Sequence, residues 1–129
     1  MNYVVTGARI ILGLMFLVFG LNGFLQFIPM PAPTGVAAEY FTVLAKTNYL
    51  IPVFLLQAIG GVVLLANRFV PLALILLGPV IVNILLYHFL IEPAGTGMAI
   101  FVTVLWFVVF SAVRKAFSGI FTAQTSYAS

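Results

Sequence analysis

The residues best suited to chemistry lie in the segment PVIVNILLYHFLIEP, residues 79–93, whose apolar run is interrupted by Asn83, Tyr87, His88 and Glu92. His88 is the one histidine of the chain, and imidazole is the side chain whose proton exchanges near neutral pH. A carboxamide such as Asn83 can hydrogen-bond a carbonyl or hydroxyl group. Together these residue types could bind a small polar headgroup and exchange a proton with it.

Three further polar side chains lie within apolar runs, namely Asn22, Gln26 and Gln57. At 1.5 Å per helical residue, they and the residues around Asn83 fall between the middle of a membrane and its outer surface. Polar residues in hydrocarbon are costly and tend to face a neighbouring helix or a cavity. Two interpretations stay open for Asn22, Gln26, Gln57 and Asn83: contact with a ligand, or hydrogen bonds between helices.

His88 also allows two interpretations. It either transfers protons or binds a ligand, or it is an interfacial histidine bonded to a backbone carbonyl or to Glu92. Helical geometry argues against one shared pocket, because Asn83 and Tyr87 are about 40° apart whereas Asn83 and His88 are about 140° apart. We expect no metal centre, since zinc and non-haem iron sites need three or four protein ligands and the other carboxylate, Glu39, lies in a separate polar segment.

The composition predicts that these residues lie in a membrane. Hydrophobic residues make up 64% of the 129 residues and charged residues only 5%, far from an average soluble domain. The charge-free stretches can each hold the roughly 20 residues that cross about 30 Å of hydrocarbon, and they cover 10–38, 47–67, 69–91 and 93–113. The chain has no cysteine, which excludes thiolate and disulfide chemistry. So few charges do not indicate nucleic-acid binding.

The elements that must position the polar groups are four spans. We predict one all-α transmembrane domain over 1–129, an integral membrane four-helix bundle with up-down-up-down topology. The spans are expected at about 5–28, 49–66, 70–91 and 97–117. After the first span, FIPMPAP cannot continue a helix. A short amphipathic helix at about 34–47 should lie on the outer surface, with an apolar side formed by Val36, Ala37, Tyr40, Phe41 and Leu44.

Small residues predict where the helices meet, because helices in lipid associate through close packing. One stripe on the first span carries Arg9, Gly13, Phe16, Gly20 and Phe27, and one on the second carries Gln57, Gly61, Leu64 and Arg68. Arg9 either extends to the inner headgroups or is buried, where it would bind carbonyls or an anionic headgroup. Arg68 is expected to be a topological anchor or a contact to anionic lipid. The indole of Trp106 should donate to a neighbouring helix.

The basic residues predict the orientation. If the N-terminus is cytoplasmic, the inner side carries Arg9, Arg68, Arg114 and Lys115, and the outer side carries only Lys46. Segments rich in lysine and arginine next to a span stay in the cytoplasm. We therefore expect both termini on that side.

Two long segments resemble a known family. GARIILGLMFLVFGLNGFLQFIPMP, residues 7–31, and NRFVPLALILLGPVIVNILLYHFL, residues 67–90, are similar to the first and third helices of the DoxX-like family of small bacterial four-helix membrane proteins. The positions that carry the resemblance are Arg9, Gly13, Gly20, Asn22, Gly23, Asn67, Arg68, Pro71, Asn83 and His88. The family takes its name from a membrane subunit associated with thiosulfate oxidation that delivers electrons to quinone. The resemblance implies a bacterial inner membrane protein.

These observations lead to three hypotheses. The first is an accessory or quinone-contacting subunit of a membrane redox assembly, with no catalytic motif of its own and no covalently bound cofactor. A quinone or lipid would then lie among the outward polar groups, and a partner protein would supply electrons. The second is a non-enzymatic scaffold or assembly factor that forms homo-oligomers in the lipid bilayer. The third, a small-solute or proton pathway, is disfavoured because the inner half offers no continuous polar lining.

Overall fold

The computed structural model describes residues 2–128, and every regular element in that range is helical. The all-α class is therefore confirmed for these residues. The elements in chain order are α1 (Tyr3–Leu25), α2 (Gly35–Lys46), α3 (Leu50–Ala66), α4 (Val70–Leu90), α5 (Thr96–Val113) and a 3₁₀ helix (Arg114–Phe121).

Local hydrogen bonds shift α1 from its predicted bounds of 5–28. At its start, the side-chain oxygen of Asn2 accepts the N–H of Val5 at 2.8 Å, an N-cap that satisfies a free donor of the first turn. At its end, Gln26 adopts a left-handed conformation with φ of 51°. Its N–H still bonds the carbonyl of Asn22 at 2.9 Å, but the chain then leaves the helix. The prediction of residue 28 as the end was wrong for this reason.

Three helical segments are long and apolar enough to cross a membrane: α1, α4, and α5 together with the 3₁₀ helix. A fourth candidate is the pair α2 and α3, which are bent by 89° relative to each other. α3 alone has 17 residues, or about 25 Å at 1.5 Å per residue, close to the thickness of the hydrocarbon. The chain therefore has three or four candidate spans, as expected for a membrane protein.

Glycines allow α1 and α3 to pack backbone against backbone. A methyl group at Gly13 would lie 3.0 Å from the carbonyl oxygen of Gly61, and one at Gly20 would lie 2.7 Å from the backbone nitrogen of Ala58. The predicted stripes of small residues therefore do mark this contact. Because residue numbers rise along α1 as they fall along α3, the two helices run antiparallel.

Glycines also line both contacts of α4. A methyl group at Gly60 of α3 would lie 2.8 Å from Cδ2 of Leu77, and Gly78 lies beside the indole of Trp106 on α5. Gly60 and Gly61 are adjacent on α3, about 100° apart around its axis. This pair lets α3 approach α4 with one face and α1 with the next. α5 in turn packs against both α4 and α1.

Apolar side chains fill the interior and also cover the exterior. Leu12, Leu64, Leu74, Leu77 and Val109 are the largest fully buried side chains. Many others are half exposed, among them Ile59 (51%) and Phe107 (59%). A soluble protein rarely exposes so continuous an apolar surface, so this exterior suits a lipid environment.

Several sequence predictions are corrected at helix ends. Arg68 follows α3 and is exposed, and Phe27 follows α1 with 52% exposure, so neither continues its stripe. On α2, Val36 of the predicted apolar side is 63% exposed and does not pack against another helix; contact of that side with a membrane surface stays a prediction. α5 ends at Val113 instead of residue 117, where Arg114 donates to the carbonyl of Ser111 at 2.7 Å and the chain tightens into the 3₁₀ helix.

Candidate functional site

Arg9 is buried at the junction of α1 and α3, with 7% of its surface exposed. Its Nη1 donates to the carbonyl oxygens of Leu64 and Leu65. These carbonyls lie in the last turn of α3, the negative end of the helix dipole. The buried interpretation of Arg9 therefore holds, and its extension to the headgroups was the wrong alternative. Its Nε is also buried and has no hydrogen-bond partner in the described structure.

Trp106 makes the second hydrogen bond between helices. Its indole N–H donates to the carbonyl oxygen of Leu74 on α4 at 3.0 Å, and its ring stacks on Phe110 with centroids 5.4 Å apart. The prediction of an interhelical partner for this indole is confirmed. Gly78 lies beside the indole, where a methyl group would be 3.8 Å from Cζ2, an ordinary contact distance.

Near the C-terminal end of α1, the side chain of Asn22 bonds the segment that follows its own helix. Oδ1 of Asn22 accepts the N–H of Ile28 at 2.7 Å, which holds the chain as it reverses after Gln26. Gln26 is itself exposed. Among the described residues, the hydrogen bond of the Asn22 side chain is therefore to the backbone that follows its own helix and not to another helix.

Asn83 lies on the exterior of α4 and is exposed. Its Nδ2 donates to the carbonyl oxygen of Pro79 on the same helix at 2.9 Å. Among residues 2–128, Asn83 therefore makes no hydrogen bond to another helix, and its two interpretations stay predictions. Gln57 lies elsewhere, at the contact of α1 and α3, where a methyl group at Gly20 would lie 3.0 Å from its Cβ.

The middle of α2 meets the C-terminal end of α4 in a group of four rings, Tyr40, Phe41, Tyr87 and His88, which we call the outer cluster after the side on which the sequence predicts it. The ring of Tyr87 lies 5.5 Å from Tyr40 and 5.3 Å from Phe41, centroid to centroid. His88 packs edge-on against Tyr87 at 5.0 Å. Sequence reasoning named Tyr87 and His88 as site residues but missed Tyr40 and Phe41. The available signal was their position on the apolar side of the surface helix.

The imidazole of His88 has a fixed orientation. Its Nδ1 lies 3.0 Å from the backbone oxygen of Glu92. A carbonyl can only accept a hydrogen bond, so Nδ1 carries the hydrogen and Nε2 of the neutral ring is left as the proton acceptor. Gly95, at φ of 90°, lies against this ring, and a methyl group there would be 2.7 Å from Cε1. The sequence analysis did not single out Gly95.

Two apolar grooves lie along the helices. One, of about 290 Å³, lies between α4 and α5 and is lined by Gly78, Ile81, Val82, Leu85, Thr103, Trp106 and Phe107. The other, of about 270 Å³, lies between α1 and α3 and is lined by Leu17, Leu21, Ala58, Ile59, Val62 and Val63. Neither groove is lined by Asn22, Gln57, Asn83 or His88. The polar groups among which the first hypothesis placed a quinone or lipid are thus distributed among the α1 terminus, the α1–α3 contact, the α4 exterior and the outer cluster.

Comparison with known proteins identifies no relative of this chain. No family model, curated protein or solved structure matches the chain. Among the described residues, the outer cluster is the arrangement best suited to chemistry. It combines a proton-exchanging group, His88, with aromatic rings from two helices. A flat molecule with ring oxygens could stack on these rings and accept or give a proton at Nε2 of His88.

Proposed function

We propose that the chain is a DoxX-like integral protein of a bacterial inner membrane, with α1, α3, α4 and α5 crossing the bilayer as an up-down-up-down bundle. The supporting observations are the candidate spans, the apolar exterior and the antiparallel contact of α1 with α3. The 89° bend supports a position for α2 along the outer surface. The side that carries most of the arginines faces the cytoplasm, and so do both termini.

Within that membrane, the protein acts as an accessory or quinone-contacting subunit of a redox assembly. The observation that carries this proposal is the orientation of His88, whose Nδ1 is bonded to Glu92 and whose Nε2 is free to exchange a proton beside Tyr87. A quinone ring stacks on the outer cluster, and a hydroxyl of Tyr40 or Tyr87 donates to one of its oxygens. Asn22, Gln57 and Asn83 do not take part in this contact, since they lie elsewhere.

Reduction of a quinone at this site requires a partner protein that supplies the electrons. Reduction of a quinone to a quinol consumes two electrons and two protons. A redox partner protein supplies both electrons, protonated His88 gives one proton from Nε2 to a quinone oxygen, and water at the outer surface supplies the second and reprotonates His88. The chain itself contributes binding, orientation and proton exchange.

The test is saturable binding of a short-chain quinone to the purified protein in mild detergent. We expect His88→Ala to weaken binding about tenfold or more, the equivalent of roughly 1.4 kcal/mol. Thr42→Ala is the matched control, because Thr42 is exposed on α2 and bonds only its own helix, to Ala38. Absence of saturable binding by the unmodified protein, or equal binding by His88→Ala, would exclude the proposal.

A non-enzymatic oligomeric scaffold is the second candidate function. The observation that favours it is the exposed carboxamide of Asn83. Polar groups in a membrane span are rarely left facing lipid. A scaffold would bind no quinone, and His88→Ala would leave its assembly unchanged.

A further inference from the structure

The exterior of α4 carries one continuous strip of exposed residues. They include Leu72, Pro79, Asn83, Leu86 and Leu90, spaced by seven, four, three and four positions, and Ile75, Val82 and Phe89 are exposed beside them. This spacing follows the 3.5-residue period of helices that pack side by side over several turns. Asn83 is the polar member of an otherwise apolar strip, which we call the α4 strip.

The hydrogen-bonding capacity of Asn83 is only partly used. A carboxamide has two N–H donors and an oxygen with two lone pairs. One N–H is donated to Pro79, which leaves the second N–H and the oxygen for an external partner. Pro79 has no N–H of its own, so the carbonyl of Ile75 also lacks its helical donor. This part of α4 therefore carries two polar groups, the Asn83 carboxamide and the Ile75 carbonyl, whose hydrogen-bonding capacity the helix does not fill.

The depth of Asn83 restricts what that partner can be. Asn83 lies seven residues before Leu90, the end of α4, or about 10 Å along the axis. In a helix that crosses the bilayer, this depth is within the hydrocarbon and away from the zwitterionic or anionic headgroups. Neither water nor a headgroup reaches it, so the partner must bring polar groups on another membrane-embedded helix.

We propose that the α4 strip is the contact between two copies of this chain, with Asn83 of each copy bonded to Asn83 of the other. A carboxamide is self-complementary, because its free N–H can donate to the oxygen of an identical group. Two copies inserted in the same orientation are related by a two-fold axis along the membrane normal, which brings residue 83 of both to the same depth. Leu86 and Leu90 then pack on either side of the axis. This interface rests on the proposal that α4 crosses a membrane.

Cross-linking in liposomes tests the interface, because the chain has no cysteine of its own. Leu86→Cys introduces a single thiol in the α4 strip, and Val104→Cys introduces one on α5, where the side chain is similarly exposed (48% and 52%). At high dilution in lipid, we expect oxidation to yield a covalent dimer from Leu86→Cys and not from Val104→Cys. Adding Asn83→Leu to Leu86→Cys should lower the association constant about 3- to 30-fold. Adding Asn83→Gln, which keeps a carboxamide, should retain most of it.

Three outcomes would overturn the interface. The first is equal cross-linking of Leu86→Cys and Val104→Cys, and the second is dimerisation that Asn83→Leu leaves unchanged. The third is a monomeric protein that retains a quinone or lipid and loses it on Asn83→Leu, which would assign the strip to a small lipophilic ligand. Extraction of the same liposomes with alkaline carbonate separates this failure from a failure of the membrane proposal. Protein that is released by carbonate does not span the bilayer, whereas retained protein that stays monomeric spans it without this contact.

Discussion

Arg9 of α1 donates a hydrogen bond to the carbonyl oxygen of Leu64 in the last turn of α3, although the two residues are 55 positions apart in the sequence. The guanidinium thereby places a positive charge at the negative end of the α3 dipole. It also satisfies carbonyls that the helix end leaves with few partners. The contact joins the start of α1 to the end of α3 and fixes the relative height of the two helices.

Replacement of Arg9 should therefore destabilise the fold. We expect Arg9→Met, which keeps most of the side-chain volume, to lower the free energy of unfolding by about 2 kcal/mol, since hydrogen bonds from a charged donor contribute roughly 1.5–3 kcal/mol. The exposed Arg68 gives the control, and Arg68→Met should change stability by less than about 0.5 kcal/mol. Reversible unfolding in detergent measures both. Equal effects of the two substitutions would contradict this role for Arg9.

Gly20 and Gly7 lie on the same helix but should respond oppositely to alanine. A methyl group at Gly20 would lie 2.7 Å from the backbone nitrogen of Ala58 and 2.9 Å from the backbone oxygen of Phe54. Backbone atoms cannot rotate away, so Gly20→Ala should cost about 1–3 kcal/mol. Gly7 has no atom within 4 Å of such a methyl group, and Gly7→Ala should stabilise α1 by up to about 1 kcal/mol. Thermal unfolding of the two variants decides whether the α1–α3 approach is as close as described.

Trp106 should contribute through its N–H as well as its ring. Trp106→Phe removes the donor to Leu74 and leaves that carbonyl without its interhelical partner. We expect a loss of about 0.5–1.5 kcal/mol from the hydrogen bond in addition to the loss of ring volume. Phe107→Leu is the control, because Phe107 is 59% exposed. If the two variants unfold at the same temperature, the indole N–H does not hold α5 to α4.

Gly95 should control the orientation of His88. Gly95→Ala places a methyl group 2.7 Å from Cε1 of the imidazole and also strains a backbone with φ of 90°, at a cost of about 1–3 kcal/mol. We expect quinone binding by Gly95→Ala to fall to the level of His88→Ala.

Two other glycines separate these causes. Gly35 has a positive φ of 62°, so Gly35→Ala strains the backbone, but no atom lies within 4 Å of the added methyl group. Gly97→Ala introduces neither backbone strain nor a steric clash. Both should bind quinone like the unmodified protein. Loss of binding in Gly35→Ala would mean that backbone strain, and not displacement of the ring, is responsible.

Features with a local cause could be predicted from the sequence. α4 was expected at 70–91 and extends over Val70–Leu90, because Pro71 favours a helix start and Pro93 prevents its continuation. The α1–α3 contact was predicted from glycines at helical spacing, since only small residues let two backbones come so close. Both inferences need only the period of a helix and the size of a side chain.

Features that depend on the tertiary path could not be predicted in this way. Helical angles give the direction of the Asn22 or Asn83 side chain relative to other residues of the same helix. They do not tell which neighbouring element that side chain contacts. Asn22 bonds Ile28 because Gln26 turns the chain back, and no pattern in the sequence marks Gln26 as left-handed. The outer cluster likewise forms only because α2 returns to the end of α4, which brings Tyr40 to Tyr87.

The long separation of Arg9 from Leu64 also has a consequence for biosynthesis. The ribosome makes residue 64 only after 55 further residues, which takes about 3–11 s at 5–20 residues per second. In the membrane topology proposed above, α1 holds during that interval an arginine whose acceptors have not yet been translated, and an arginine deep in the bilayer costs roughly 2.5–3.5 kcal/mol. In that topology, the polar contacts of α1 are thus completed by the last turn of α3 and not by the residues that follow α1 in the sequence.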